Sequence, residues 1–310
     1  MLEISVCILS LNRPAYLCEA VDSVLAQTKL PKYIYIFDNG SEVGVKKTVL
    51  HHLDSGVRWF GSDKTNSMSI NIERAIPEVK TEFVMFMHDD DRLCLDFLEK
   101  QMAFLQENPT VCAVACNSYY IAENGERNGK VLRADFVNAK AELYSCSADV
   151  AKRYASDSCI LFPTVVYKTE IVKKIKLRHA FEKVVDPVFL CDIADSGIIA
   201  YQSAILYELR IHSEQHSTYF SPDLMYKLGR FFWTRTSKNK EDIALLHKLL
   251  IRQHTSRVIL SILAALKPSF SLRKLYEELL GVKDEMFSLS DAVRFLLYAI
   301  KKKCKRKIKT

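Results

Sequence analysis

Three consecutive carboxylates, Asp89, Asp90 and Asp91, follow an apolar run at residues 83–87 and are the clearest candidates for chemistry in this 310-residue sequence. Neighbouring carboxylates repel one another unless a cation lies among them. Oxygen ligands of this kind suit Mg²⁺ or Mn²⁺, which proteins bind through one or two carboxylates together with substrate phosphates. The triplet therefore predicts a divalent metal site; a solvated loop at the start of a helix is the alternative.

Two further polar clusters follow apolar runs earlier in the chain. Asp38-Asn39-Gly40-Ser41 ends one run, and an aspartate there can accept a hydrogen bond from a ribose hydroxyl or a base N–H. Ser10-Leu11-Asn12-Arg13 ends another run and offers a hydroxyl, an amide and a guanidinium to a nucleotide. Turn chemistry also explains the first segment, and a plain loop explains the second.

The elements that must position these residues alternate between strand and helix. Apolar runs of strand length lie at residues 4–9, 33–37, 83–87 and 111–115, and helical apolar spacing covers residues 16–26, 68–76 and 96–106. Strands that alternate with helices form parallel sheets, whose carboxyl ends share one edge. The pattern predicts an open, mostly parallel α/β sheet with the polar clusters along that edge.

The pattern changes after residue 120. Asn124-Gly125 and Asn128-Gly129 predict turns, and residues 180–216 contain a helix-like stretch and a strand-like run at 204–211. From residue 221 onward the apolar spacing is helical. We place a domain boundary near residue 218.

The order of the clusters, S-x-N-R, then D-N-G-S, then H-D-D-D, resembles the nucleotide-sugar-binding half of glycosyltransferase family 2. The resemblance implies the GT-A fold, a mostly parallel open α/β sheet flanked by helices, followed here by a C-terminal helical region. It implies a nucleotide-sugar-binding half at residues 1–120 and an acceptor-binding half of the same domain at residues 121–217. Residues 218–310 would form the helical region, with an amphipathic helix and a basic tail.

The resemblance also implies roles for the polar residues. Asp38 would contact the base or ribose of the donor, Asp89 would lie near the ribose, and Asn66 falls where the family often has a polar residue near the donor. The nucleotide pocket would be lined by Ser10, Asn12 and Arg13.

The metal, Mn²⁺ or Mg²⁺, would be held mainly by Asp90, with Asp91 and His212 completing the set. His88 stands where many relatives have the first acid of D-x-D-D. His212 lies in Arg210-Ile211-His212, which resembles the R-x-H segment of many members, whose histidine can approach the metal or the diphosphate. A purely structural histidine is the alternative.

Asp186 lies where the family carries the acid that activates the acceptor hydroxyl. Val185 replaces the glutamate that usually precedes this acid, so Asp192 and Asp195 remain alternative bases.

The resemblance implies a metal-dependent, inverting, hexosyltransferase-like enzyme. It would be non-processive, because the Q-x-x-R-W signature of processive membrane synthases is absent.

Other classes of protein fit the residues less well. A sugar-phosphate nucleotidyltransferase would need a glycine-rich loop after the first strand, which residues 10–16 lack. A phosphatase of the haloacid dehalogenase type would need a second aspartate in residues 37–41. A degenerate GT-A protein that acts as a membrane-docked binding module remains an alternative, because His88 and Val185 depart from the family pattern.

The net charge of +7 lies at the C-terminus. Residues 301–310 hold seven basic residues and no acid, which leaves 44 − 7 = 37 positive charges against 37 negative ones. Residues 288–300 have a helical apolar face, and such a helix before a cationic run is typical of a segment lying on an anionic membrane. A packed helix with a solvated end is the alternative, and the neutral body argues against nucleic acid as a partner.

The nine cysteines, without paired spacing, indicate reduced thiols in a cytosolic setting. We expect neither a signal peptide nor a membrane-crossing segment. Together with the tail, these features predict a cytoplasmic protein peripherally attached to the inner face of the cell membrane. The predicted partners are a nucleotide-sugar donor and a saccharide acceptor, which this location suggests is lipid-linked.

Overall fold

The structure, a computed structural model, describes residues 1–40, 43–53, 55–137, 141–156, 159–213 and 222–236. The chain divides into two compact units, Met1–His216 and Ser217–Thr310. In the second unit the described residues include one helix, Pro222–Trp233. The predicted amphipathic helix and basic tail at residues 288–310 lie outside the described residues. No helix in the described ranges combines the length and the apolar character that crossing a membrane requires.

The first unit contains ten strands and eight helices among its described residues. The strands are β1 (Leu2–Ser10), β2 (Pro31–Asp38), β3 (Val57–Phe60), β4 (Phe83–His88), β5 (Arg92–Leu93), β6 (Val111–Ile121), β7 (Arg127–Val131), β8 (Glu142–Tyr144), β9 (Val166–Lys168) and β10 (Ile198–Arg210). The helices are α1 (Pro14–Leu25), α2 (Val43–Thr48), α3 (Leu50–Leu53), α4 (Met68–Ala75), α5 (Phe97–Glu107), α6 (Ser147–Ala155), α7 (Thr169–Val172) and α8 (Val185–Ala194). Short 3₁₀ turns lie at Ile76–Glu78, Ala134–Phe136, Phe162–Thr164 and His179–Val184.

The strands form one sheet in the order β3-β2-β1-β4-β9-β6-β10-β5, with β7 paired to β6 and β8 to β10. β1 is parallel to both β2 and β4, and β2 is parallel to β3. This register pairs Ser10 with Asp38 and Leu9 with His88. The carboxyl ends of these strands therefore meet at one edge, and the predicted mostly parallel α/β sheet is confirmed.

The second half of the sheet combines β6 and β10, which overlap the predicted runs at residues 111–115 and 204–211, with the unpredicted strands β5, β7, β8 and β9. β9 is antiparallel to both β4 and β6, and β10 is parallel to β6. The predicted turn at Asn124-Gly125 does connect β6 to β7, but the turn predicted at Asn128-Gly129 is wrong, because both residues lie within β7. β7 pairs antiparallel with β6, but the register shifts between the pairs Tyr119–Val131 and Ile121–Arg127. Gly129 there has a φ of +75°, so the Asn-Gly preference produces an irregularity within the strand rather than a separate turn.

The core explains why the first strands read as continuous apolar runs. β1 is buried over residues 4–10, since it lies inside the sheet and is covered on both faces. On one face Ile4, Val6 and Ile8 pack with the buried stripe of α1, which includes Leu17 and Val21. α1 begins with Pro14, whose fixed φ suits a first helical position.

Gly40, in the loop after β2, provides a test of how tightly this edge is packed. Its φ is +81°, and a Cβ built on it would lie 2.5 Å from the carbonyl carbon of Lys64. Gly56 has a similar φ of +87° with nothing within 4 Å, which makes Gly56→Ala a matched control. We expect Gly56→Ala to lower the free energy of unfolding by about 1 kcal/mol and Gly40→Ala by roughly 1–3 kcal/mol more. Urea unfolding followed by circular dichroism measures both, and equal losses would contradict the close contact.

Candidate active site

The three consecutive carboxylates point in different directions and bind different parts of the fold. Asp89 accepts hydrogen bonds from the Leu11 backbone N–H at 2.8 Å and from Arg13 Nη1 at 3.0 Å. Asn12 between these donors has a φ of +54°, in the left-handed region that Asn tolerates better than most residues. Burial, followed by repulsion from Asp90, raises the pKa of Asp89 to about 6. Asp89 therefore ties the loop after β1 to the end of β4.

Asp90 is the carboxylate with cationic or imidazole neighbours on several sides. Its Oδ2 lies 2.9 Å from Arg13 Nη1 and 2.9 Å from His212 Nε2. The ring of His212 also lies 5.3 Å from the ring of Tyr16. Burial acts to raise the pKa of Asp90, but His88, His212 and Arg13 together lower it below its ordinary value. Arg13 therefore supplies the cation that the repelling carboxylates require.

Asp91 is directed into the protein. It is 1% exposed, and its two oxygens accept hydrogen bonds from the Tyr207 hydroxyl at 2.8 Å and the Arg210 backbone N–H at 2.9 Å. Burial raises the pKa of Asp91 well above its ordinary value. The Arg210 guanidinium donates in turn to the backbone carbonyl of Asp90. Asp91 and Arg210 thus hold β10 against the turn that carries the carboxylates.

The residues that could bind a metal ion differ slightly from the predicted set of Asp90, Asp91 and His212. Among the described residues, ligand atoms of His88, Asp90 and Asp91 all lie within 4.8 Å of one another. Each carboxylate oxygen has lone pairs beyond those used in hydrogen bonds, so Asp91 can still ligate. One nitrogen and two carboxylates form a donor set that Mn²⁺ accepts, so the residues fit a divalent cation. His212, the predicted third ligand, instead contacts Asp90.

The residues predicted to bind the donor lie along the same edge. Ser10 is 1% exposed and its Oγ has no hydrogen-bond partner among the described residues, while Asp38 beside it is 4% exposed. Asn66 is held to Asn39 by two reciprocal hydrogen bonds, of 2.8 Å and 2.9 Å. The structure therefore brings Ser10, Asp38 and Asn66 to the strand ends that also carry Asp89.

Two residues of α4 that sequence reasoning missed fix this edge. Arg74 donates to the backbone carbonyls of Asp38, Phe60 and Gly61, at the ends of β2 and β3. Asn71 donates to the Phe37 carbonyl and accepts from Arg74. Ser67 caps α4 by accepting from the Ile70 N–H. The available signal was a polar pair three residues apart, at Asn71 and Arg74, on a predicted helix.

Asp186 lies in the first turn of α8 and is the candidate base with an unsatisfied oxygen. Its Oδ1 is buried without a hydrogen-bond partner among the described residues, and burial raises the pKa of Asp186 to about 7. The two alternatives are already engaged. Asp192 forms a two-bond ion pair with Arg178, and Asp195 accepts from the Ser147 N–H. The surroundings thus favour Asp186 over either alternative.

Aromatic contacts connect α8, the helix that contains Asp186, to His88 of the candidate metal group. The Phe162 ring lies 6.4 Å from the His88 ring and 5.8 Å from the Phe189 ring. Phe189 follows Asp186 by three residues on α8 and therefore lies on the same side of the helix. The charge of Asp186 is also felt by Tyr167, whose ring packs on Phe162 and Phe189. Asp186 and His88 thus face one aromatic cluster.

Parallel strands with polar residues at their carboxyl ends, joined to a second half of antiparallel and parallel strands, define an α/β protein of the GT-A fold class. The chain belongs to glycosyl transferase family 2, because the model of that family matches residues 5–175, more than half of the sequence. The resemblance drawn from the sequence is confirmed.

Known proteins agree with this assignment. An uncharacterized glycosyltransferase of Methanocaldococcus jannaschii is 22% identical over 177 residues, which are 56% of this chain and 58% of the relative. The crystal structure of S. aureus TarS matches with a TM-score of 0.65 and 16% identity, covering 94% of this chain and 50% of TarS. The chain therefore matches 58% of the first relative and 50% of the second.

Two solved complexes have the same fold. TarS residues 1–349 with UDP-GlcNAc match with a TM-score of 0.64 and 17% identity, covering 91% of this chain and 80% of that one. A mannosyltransferase from Pyrobaculum calidifontis, in complex with GDP-Man and Mn²⁺, matches with a TM-score of 0.54 and 13% identity, covering 97% and 86%.

The different surroundings of Asp90 and Asp91 predict different effects on stability. Asp91→Ala leaves the Tyr207 hydroxyl and the Arg210 N–H buried without an acceptor, which we expect to lower the free energy of unfolding by about 3 kcal/mol. Asp90→Ala is the control: it removes the partner of one buried group, His212 Nε2, but repulsion within the triplet falls and Arg13 keeps Asp89, so the loss is smaller. Urea unfolding at pH 7 compares the two variants, and equal losses would contradict a supporting role for Asp91.

Proposed function

We propose that the protein is a non-processive, inverting glycosyltransferase that moves a sugar from a nucleotide-sugar donor to a saccharide hydroxyl. The observation that carries the proposal is the Asp186 carboxyl, whose Oδ1 is buried without a hydrogen-bond partner among the described residues and whose pKa burial raises to about 7, beside an aromatic cluster shared with the candidate metal ligands. Family membership and neighbours solved with UDP-GlcNAc and with GDP-Man and Mn²⁺ support a hexosyl donor of this class.

The donor lies along the carboxyl edge of β1, β2 and β4 in this proposal. Asp38 and Ser10 face the nucleoside, with Asn66 and Asn12 beside them, and Asp89 lies near the ribose. The Arg13 guanidinium is within reach of a diphosphate, which it can bind with two parallel hydrogen bonds. A divalent cation held by Asp90 and its neighbours would neutralise negative charge on the leaving diphosphate.

Asp186 acts as the general base. Its carboxylate accepts the proton of the acceptor hydroxyl as that oxygen bonds to the anomeric carbon and the bond to the diphosphate breaks. Attack from the face opposite the leaving group inverts the anomeric configuration. A base with a pKa near the working pH is the efficient choice, because it is deprotonated in the resting enzyme and still basic enough to accept a proton.

Asp186→Asn tests the base directly. We expect donor turnover to fall by about 10²–10⁴-fold, while donor binding is kept. In the parent enzyme kcat/KM should rise about tenfold per pH unit below 7 and level off above it, because only the deprotonated carboxylate accepts a proton. Release of nucleoside diphosphate from UDP-GlcNAc or GDP-Man with Mn²⁺ measures turnover, and thermal shift measures binding.

Asp192→Asn is the matched control, since Asp192 lies on the same helix but is paired with Arg178. If the Asp186→Asn enzyme is active, Asp186 is not the base, and Asp192 or Asp195 takes that role. Donor binding without turnover in the parent protein would favour the degenerate binding module instead.

The acceptor and the location of the enzyme are part of the same proposal. The amphipathic segment and the seven basic residues at the C-terminus would hold the enzyme on the anionic inner face of the cell membrane. There it would meet a lipid-linked glycan of surface-polysaccharide synthesis.

Removing residues 288–310 tests the attachment. We expect the parent protein to sediment with vesicles that contain anionic lipid and the shortened protein to stay in the supernatant, because each basic residue near the surface contributes about 1 kcal/mol. A variant with the seven basic residues of the tail changed to Gln separates charge from the apolar helix. Unchanged sedimentation of the shortened protein would contradict the proposal.

A further inference from the structure

His88 occupies a position that ordinary core packing does not explain. It is the last residue of β4, and its Nδ1 lies 3.8 Å from Oδ2 of Asp91. Its Nε2 is buried and has no hydrogen-bond partner among the described residues. Such a nitrogen loses its water without gaining a partner, which is unfavourable unless the site supplies one.

The surroundings of His88 hold its ring toward the carboxylates. The Phe162 ring packs against it with an interplanar angle of 29°. His88 also belongs to the group of three residues whose ligand atoms lie within 4.8 Å of one another. The ring is therefore oriented by apolar contact, and Nδ1 is the nitrogen placed near the Asp91 carboxylate.

His212, the histidine that the sequence pattern favoured, is placed differently. Its Nε2 is already 2.9 Å from Oδ2 of Asp90, and its ring packs near Tyr16. An imidazole that hydrogen-bonds a ligating carboxylate orients that carboxylate and raises its effectiveness as a ligand without touching the metal. The two histidines therefore have different relations to the same aspartate.

We propose that His88 is a nitrogen ligand of the metal and sets the metal preference of the site, whereas His212 acts on the metal through Asp90. The inference rests on the metal dependence in the proposed function and adds to it the identity of the ligands. Oxygen-only sites suit Mg²⁺, and an imidazole ligand shifts the preference toward transition metals such as Mn²⁺ and Co²⁺. His88 thus makes this a site for Mn²⁺ rather than Mg²⁺.

The test uses the full chain and Mn²⁺ alone. Electron spin-echo spectroscopy of bound Mn²⁺ detects ¹⁴N modulation when an imidazole nitrogen is coordinated, and replacing histidine nitrogen with ¹⁵N shows whether that nitrogen belongs to a histidine, while the variants show which one. His88→Asp replaces the nitrogen with oxygen, and His88→Asn does so without adding charge. His212→Gln is the matched control, because its amide nitrogen can still donate to Asp90. Competition between Mn²⁺ and Mg²⁺ gives the preference of each variant.

We expect ¹⁴N modulation in the parent protein and in His212→Gln, and none in either His88 variant. The preference for Mn²⁺ over Mg²⁺ should fall by about ten- to a hundredfold in His88→Asp. Modulation that persists in both folded His88 variants, or that is lost in His212→Gln, would overturn the assignment. Bound Mn²⁺ without nitrogen in an enzyme that still transfers sugar would overturn this inference alone and leave the proposed function standing. A parent protein that binds no Mn²⁺ would overturn both the inference and the metal dependence.

Discussion

The repulsion among three adjacent carboxylates is the constraint around which this end of the sheet is built. The chain separates their charges by giving each a different partner: Asp89 binds the loop after β1, Asp90 binds Arg13 and His212, and Asp91 binds β10. The first strand and the last strand of the unit are thereby fixed to the same turn. The arrangement that relieves repulsion also joins the two halves of the sheet.

A second constraint comes from the backbone carbonyl groups at the carboxyl ends of the parallel strands. A strand that stops at the edge of a sheet leaves carbonyl groups that require donors. Arg74 donates to the carbonyls of Asp38, Phe60 and Gly61 at the ends of β2 and β3, and Asn71 donates to the Phe37 carbonyl of β2. α4 supplies both side chains and begins two residues after Asn66, so its position also fixes where Asn66 lies relative to these strand ends.

Much of the first half of this architecture was predictable from the sequence, and most of the second half was not. The strands at β1, β2 and β4 are buried on both faces, so their sequences are continuous apolar runs that end in polar residues. β5, β8 and β9 have two or three residues each, too few to show a period. The orientation of Asp91 was equally hidden, because it depends on Tyr207, more than a hundred residues away. The roles assigned to the site residues by resemblance remain predictions.

The burial of Asp186 is unfavourable for its charged form, and the proposed role as a base accounts for it. A rise in pKa from 3.8 to about 7 corresponds to about 4 kcal/mol of destabilisation of the charged carboxylate. A fold gains nothing from such a group, since Asn or an apolar residue would fill the same space without that cost. Asp192, on the same helix, shows the ordinary solution, an ion pair at the surface. Asp186 Oδ1 has no hydrogen-bond partner among the described residues, and Phe189 on the same helix contacts the ring of Phe162 that packs on His88, so the unfavourable environment is explained if the missing partner is the proton of a bound acceptor.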